Sequence, residues 1–534
     1  MERIEITGIG SQLQGVGRLA DGRAVFVPGA IPGERVDIRI EHDKGRFCEA
    51  SLCVVLEPSP DRIAPECLHA GACGGCQARH IRYGRTLEMK RQIVADALER
   101  IGGVEAPRVL ETLGCDEPDR TRNKAEYPIG MDGGRPVIGA YEGGSRRIIP
   151  LRDCLLQAPQ SARALAQLAD RLPDMAVAKH LQYLVTRVNR AGEMMAVLCG
   201  DAPLHAEIER LSPALTAALP EVRSLWYCQL NRRPAHALDG RCVRVWGEET
   251  LSETLLGLKY EISPQSFFQV NPPQAERLYQ KALEAAGIRP GCGLKVLDAY
   301  CGAGTITLSA ARWAESAVGI EIVAPAIEDA KKNAAANGLS GRARFLCGDA
   351  AREIPRLLRR GERFDCAILD PPRKGADAAL LDALAGAGIP AVAYVSCNPA
   401  TLARDVKHLS SAGYRLEWAQ PVDMFPWTGH VETVCLLYHQ KKEFISVPYE
   451  PKDAEYLKSY PGTATYEEIK EWILTKYNVK VSSLYVAQVK AKHGLEMRDC
   501  YNRPRSENSR QPQVPKDKEK MIEEALRHFR MIEN

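Results

Sequence analysis

The chain has 534 residues, 71 Lys and Arg against 68 Asp and Glu, and a formal net charge of +3. That balance excludes nucleic-acid binding by bulk positive charge but leaves local basic patches open. Hydrophobic residues make up 45% and charged residues 26%, a globular composition that argues against wholesale disorder and suits roughly three or four domains.

No run of about 18 apolar residues exists, and the first ten residues lack a basic-then-apolar leader, so neither a membrane span nor a signal peptide is expected. The 17 cysteines are then read as reduced thiols of a cytoplasmic protein, some of them metal ligands or nucleophiles.

Residues 1–60 carry five short strand signals, at 2–6, 15–19, 24–27, 35–41 and 49–56, with turn residues such as Asp21-Gly22 and Pro28-Gly29 between them. This spacing predicts a small OB-like β-barrel. Glu57-Pro58-Ser59-Pro60 reads as a linker, and residues 61–255 as an α+β middle domain with helices over 86–101 and near 158–173 and 203–218. Within it, Cys67-x₅-Cys73-Gly74-Gly75-Cys76 places three thiols in ten residues with a single Cys-x₂-Cys pair. Zinc sites usually show two such pairs or Cys/His pairs, whereas three close thiols and one distant thiol suit a four-iron cubane. Cys115 and Cys154 compete for the fourth position, and a zinc ribbon or free thiols are the alternatives.

Residues 256–440 alternate apolar runs (295–298, 317–321, 344–347, 366–370, 391–396, 434–438) with helix-period segments, which predicts a doubly wound α/β domain. Asp298-Ala299-Tyr300-Cys301-Gly302-Ala303-Gly304 runs from a strand through a glycine turn into a helix. Such a turn lets a ligand approach the backbone and offers free N–H groups. It is not G-x-G-x-x-G and resembles the S-adenosylmethionine (SAM) loop of class I methyltransferases. Glu321, Asp349 and Asp370 end the next three strands, on the edge where open α/β sheets bind ligands.

Cys397 lies just past a strand between Ser396 and Asn398, and Glu432 opens the last one. Methylating C5 of a pyrimidine needs both groups, a thiolate to add to C6 and a base to remove the C5 proton. A packed cysteine and a surface carboxylate are the bland alternative.

Ser-Cys-Asn-Pro at 396–399, Asp-Pro-Pro-Arg-Lys-Gly at 370–375, Ser-Phe-Phe-Gln-Val-Asn at 266–271 and His-Val-Glu at 430–432 resemble the RNA uracil-C5 methyltransferase family. The resemblance implies Cys397 as nucleophile, Glu432 as base, and SAM contacts at Gln269, Tyr300, Glu321 and Asp370. It also implies a TRAM-type barrel and a [4Fe-4S] cluster on Cys67, Cys73, Cys76 and Cys154, the last following a Gly139-Ala140-Tyr141-Glu142 strand. Barrel and cluster together point to 23S ribosomal RNA as substrate, with no protein partner or membrane implied. Uridine in transfer RNA, an RNA cytosine-C5 methyltransferase and a non-catalytic iron–sulfur RNA-binding protein are the alternatives.

A C5 atom inside a helix is out of reach, so the base must be flipped, and Phe267, Phe268, Tyr300 and Phe425 are candidates to line its pocket. Arg79, Arg82, Arg85, Lys90 and Arg91, then Arg120, Arg122 and Lys124, then Arg146, Arg147 and Arg152 are expected to contact phosphates. Residues 441–534 hold 18 Lys and Arg against 15 Asp and Glu and so carry the whole net charge. They read as a helical extension, with helices at 466–476, 483–492 and 518–531 and a polar loop at 502–516.

Overall fold

The computed structural model describes residues 1–440, 466–493, 495, 513–529 and 531–532. The chain divides into two compact units, Met1–Lys441 and Lys442–Asn534. Among the described residues no helix is long and apolar enough to cross a membrane.

The first unit opens with β1 (Glu2–Ile9), β2 (Gly15–Arg18), β3 (Ala24–Val27), β4 (Arg35–Asp43) and β5 (Phe47–Glu57), closed in the order β1-β2-β3-β5-β4. Alternate residues point inward, so Ile4, Ile6, Val25, Val27, Val36 and Ile38 fill the barrel. The expected linker is stapled down. Arg62 Nε and Nη2 donate to the fully buried Glu34 carboxylate at 2.5 and 2.7 Å, and Ser59 N–H donates to it at 3.2 Å.

After α1 (Tyr83–Arg100) comes a mixed seven-stranded sheet. Its members are β6 (Lys124–Asp132), β7 (Arg135–Tyr141), β8 (Ile148–Pro150), β9 (Leu181–Val188), β10 (Met194–Gly200), β11 (Val222–Leu230) and β12 (Gly240–Gly247), in the order β12-β11-β10-β9-β6-β7-β8. Helices α2 (Pro159–Arg171) and α3 (His205–Ala217) match the expected positions and pack their apolar sides, Leu165, Leu168 and Ile208, on it. A hairpin of β13 (Leu251–Leu255) and β14 (Leu258–Ile262) follows.

The last sheet of this unit contains β15 (Lys295–Ala299), β16 (Ser316–Glu321), β17 (Ala343–Cys347), β18 (Cys366–Leu369), β19 (Ala391–Ser396), β20 (Tyr414–Val422) and β21 (Glu432–His439). Its order is β17-β16-β15-β18-β19-β21-β20, with the first five parallel and β21 antiparallel to both neighbours. Helices α4 (Pro272–Ala285), α5 (Thr305–Ala311), α6 (Ala324–Ala336), α7 (Ala350–Arg359), α8 (Ala378–Ala387) and α9 (Pro399–Ser411) accompany it. One core holds Val296, Ile368 and Ala393, the other Leu297, Ala367 and Val392. Burial on both faces is why these strands read as continuous apolar runs.

Residues 108–113, counted with the middle domain in the sequence, lie parallel to the edge strand β20. Leu110 N–H donates to Ala419 O at 2.9 Å, Leu113 N–H to Pro421 O at 3.0 Å, and Ala419 N–H to Arg108 O at 2.9 Å.

In the second unit, α10 (Tyr466–Tyr477), α11 (Ser483–Lys492) and α12 (Lys516–His528) pack through Ile469, Ile473, Val486, Val489, Ile522 and Leu526. Residues 502–512 of the expected polar loop lie outside the described residues.

Candidate functional site

The carboxyl edge of the last sheet of the first unit opens into a cavity of about 680 Å³, and all six expected catalytic and SAM-binding residues line it: Gln269, Tyr300, Glu321, Asp370, Cys397 and Glu432. The turn after β15 needs its glycines for different reasons. Gly304 has φ +84° and caps α5, and a Cβ there would meet the Phe345 ring at 2.9 Å. Gly302 has φ +53° and open space where a Cβ would stand. Its N–H donates to Glu321 Oε2 at 3.2 Å, while Val323 N–H donates to Oε1 at 2.9 Å. The glycine turn and the acid of the second strand are thus one bonded unit at the cavity wall.

Beneath the turn, Asp298 is fully buried and accepts from Thr307 Oγ1 at 2.5 Å, while its Oδ1 has no partner. Burial raises its pKa to about 7 and that of Asp370 to about 6.

Strand pairing brings the two catalytic candidates together. Ser396 on β19 faces Thr433 on β21, so their chain neighbours Cys397 and Glu432 leave the sheet at the same edge. Burial pushes the Cys397 thiol up to about 11, the Glu432 charge adds to that, and Arg373 opposes it. Glu432 is raised to about 8, first by burial and then by Asp370, again opposed by Arg373.

Arg373, a letter of the Asp-Pro-Pro-Arg motif with no role expected from the sequence, is the cation that both groups sense. Its carbonyl accepts from Asn398 Nδ2 and Thr401 Oγ1, each at 3.3 Å. Asn398 also caps α9, accepting from Ala400 N–H at 3.0 Å. Asn398 therefore starts α9 and, with Thr401, holds the Arg373 backbone against that helix start. His430, present only as a motif letter in the sequence, also lines the cavity, 5.9 Å ring to ring from Phe425.

The aromatic candidates divide. All four line the cavity, but Phe267 is 78% exposed at its rim, whereas Phe268 is 5% exposed and also packs against Tyr260.

Several expected phosphate contacts have partners within the chain, two of them buried and the rest nearer the surface. Lys90 is fully buried on Asp423, Arg79 is buried and donates to Asp119 at 2.8 Å, and Arg91 donates to Val109 O at 3.0 Å. Arg120 pairs with Asp153, Lys124 with Glu126, Arg147 with Glu142 and Arg152 with Asp170.

The cysteine module is partly assembled. Cys73 bridges to Glu142 beside β7, and Gly74 N–H donates to Tyr141 O at 3.1 Å. The turn thereby lies beside the strand that leads to Cys154. Burial raises the thiols of both Cys154 and Cys76, with charge on Cys73 adding to the first and charge on Cys154 to the second. Cys67 is half-buried in the preceding turn. Arg122 stands among the thiols, largely buried, with its Nε unpartnered. Its guanidinium lies over the Phe425 ring, 5.8 Å from the centroid. Among the described residues, however, no three His, Cys, Asp or Glu side chains stand close enough to hold one metal ion. The iron–sulfur cluster expected from the sequence is not shown by the structure.

Known proteins match along most of the chain. Residues 245–440 match the family described as tRNA (Uracil-5-)-methyltransferase, and residues 2–53 match the TRAM domain. A protein of Caldanaerobacter subterraneus subsp. tengcongensis, named an uncharacterized RNA methyltransferase, is 39% identical over 444 residues, 81% of this chain and 97% of its own. A like-named protein of Halalkalibacterium halodurans is 39% identical over 427 residues, 78% of this chain and 92% of its own. Among solved structures, the tRNA (uracil-54, C5)-methyltransferase of Pyrococcus abyssi in complex with S-adenosyl-L-homocysteine superposes with a TM-score of 0.64 at 28% identity. That match covers 82% of this chain and all of the other.

Proposed function

The chain belongs to the RNA (uracil-5-)-methyltransferase family, and on that premise we propose that it methylates C5 of a uridine in 23S ribosomal RNA, with Cys397 as nucleophile and Glu432 as base. The observation that carries the reaction is the convergence of Cys397, Arg373 and Glu432 with Gln269, Tyr300, Glu321 and Asp370 in one cavity.

The uracil C5 is too weak a nucleophile to act unaided. Addition of the Cys397 thiolate to C6 moves the ring electrons to C5 and the C4 oxygen. SAM, when bound, supplies an electrophilic methyl group, which C5 takes up. Glu432 then takes the C5 proton, the C–H electrons re-form the C5–C6 double bond, and Cys397 departs as thiolate. Arg373 stabilises both anions, the thiolate before attack and the carboxylate before proton transfer. Glu321 is placed for the ribose hydroxyls of the donor, and the open face of Gly302 lets the donor approach the backbone.

We infer further that Cys67, Cys73, Cys76 and Cys154 hold a [4Fe-4S] cluster, supported by the pairing of the Cys73 turn with the strand that leads to Cys154. It would organise the module, since no residue of the reaction cavity belongs to it.

Transfer RNA is the second reading of the substrate. The P. abyssi enzyme, named for uridine 54 of tRNA, matches over 82% of this chain, so this architecture does not by itself select ribosomal RNA. Mass-spectrometric mapping of 5-methyluridine in both RNAs from a deletion strain decides. Loss from 23S RNA alone is the expected result, and loss from transfer RNA alone would overturn the ribosomal assignment.

A further inference from the structure

Between β20 and β21 runs a nine-residue loop, 423–431, that leads directly into Glu432 and carries Phe425 and His430 into the cavity. Its middle residue is in an unusual state. Trp427 has φ +63°, left-handed for a residue with a side chain, and is only 8% exposed. Such a conformation is unfavourable for a residue with a side chain and persists only where the surroundings over-determine it.

Here the surroundings are the cysteine module. Gln77 and Ala78, the two residues after Cys76, both donate their backbone N–H groups to the Trp427 carbonyl, at 2.9 and 3.0 Å. The Trp427 indole Nε1–H donates to Asp119 Oδ1 at 2.8 Å, the same oxygen that accepts from Arg79 Nη2 at 2.8 Å. Arg79 also lies over the indole ring at 5.1 Å, and Tyr83 packs on it at 5.3 Å. From Trp427 the bonding continues toward the cavity. Thr428 Oγ1 donates to Phe425 O at 2.9 Å and accepts from His430 N–H at 3.3 Å.

We propose that Trp427 is a positioning residue, a latch through which the turn at Cys76 sets the placement of Phe425 and His430 and the approach to Glu432. This rests on the methyltransferase reading for its effect on rate, but not for its effect on the loop. No group of the latch touches the reacting atoms. Its contribution is to hold the flipped base and the catalytic pair in register, where a displacement near 1 Å costs about a hundredfold.

The test uses the full chain and reads two quantities. Trp427→Phe keeps the ring and loses the indole donor; Asp119→Leu removes the acceptor; Asp119→Asn keeps an oxygen for the indole. Trp427→Phe and Asp119→Leu are expected to raise amide hydrogen exchange over 425–430 about tenfold. They should slow adduct formation with 5-fluorouridine RNA at saturating RNA by about ten- to a hundredfold, with SAM affinity unchanged. Asp119→Asn should restore both to near wild type. Cys76→Ser, applied at the far end, should also raise exchange over 428–430 while leaving 300–304 protected.

Wild-type exchange in Trp427→Phe and Asp119→Leu overturns the latch, as does loosening of 300–304 together with 425–430, which would mark general destabilisation. If the wild type forms no adduct while exchange responds as described, the methyltransferase reading fails and the latch stands.

Discussion

Lys90 and Asp423, 333 positions apart, form an ion pair at 2.5 Å with both side chains fully out of solvent. Burial lowers the pKa of the lysine, and the aspartate opposes that shift. Tyr83 OH donates to the other carboxylate oxygen at 2.8 Å, and Lys90 reaches on to Phe425 O at 3.0 Å. Removing one member leaves a charge buried without its counter-ion. Lys90→Met should therefore cost about 3–5 kcal/mol in urea unfolding, and Lys90→Met with Asp423→Leu should recover most of it. Independent, additive losses from the two substitutions would show that the pair is not coupled.

The roles of Cys397 and Glu432 separate in a denaturing gel. Cys397→Ala should form no covalent adduct with 5-fluorouridine RNA and should lose at least about four orders of magnitude in turnover. Glu432→Gln should do the opposite with unmodified RNA, accumulating a methylated protein–RNA adduct because the C5 proton stays in place. An adduct in the alanine variant would reassign the nucleophile.

The two shifted groups also fix the direction of the pH response. With Glu432 raised to about 8, only about a tenth is ionised at pH 7, so kcat/KM should rise with pH through that value. Stability responds in the opposite sense. The native state holds the Glu432 proton above the ordinary 4.5, so its contribution to stability falls as pH rises from 4.5 toward 8. Glu432→Gln should therefore match the wild-type melting temperature near pH 4 and exceed it by a growing margin up to about pH 8. A constant difference across that range would show that the carboxyl is not buried as described.

At the donor turn, Gly304→Ala places a Cβ 2.9 Å from the Phe345 ring and forces φ +84° on an L-residue. The strain is about 1–2 kcal/mol before any clash, enough to weaken SAM binding roughly tenfold by calorimetry. Adding Phe345→Ala should recover the clash but not the strain. Gly302→Ala, with open space around its Cβ, should bear the dihedral cost alone.

Anaerobically prepared protein is expected to contain iron, and Cys73→Ala to lose it together with visible absorbance. Retention of iron in that variant would remove Cys73 from the ligand set.

Strands β15, β16, β18 and β19 were legible because most of their residues are buried on both faces, which leaves nearly unbroken apolar runs. β20 was not, because its Arg415, Glu417 and Trp418 interrupt the apolar pattern as befits a strand near an edge. The motifs around Cys397 and Glu432 were readable as strand-end features, and the structure brings both residues to one cavity. Arg373 was visible as a letter but not as a partner, since its importance lies in what faces it. Lys90 shows the converse limit. A lysine among arginines on α1 reads as a phosphate contact, and nothing local announces that its counter-ion waits in the loop after β20.

The pairing of residues 108–113 with β20 also carries a cost in time. During synthesis this segment leaves the ribosome roughly 300 residues before its partner strand. At ~5–20 residues per second it stays unpaired for ~15–60 s. Until β20 arrives, an apolar stretch containing Val109, Leu110 and Leu113 has no ladder to join. The nascent chain thus has a window in which a chaperone or a wrong strand competes for it, and translation speed over residues 114–419 sets the length of that window.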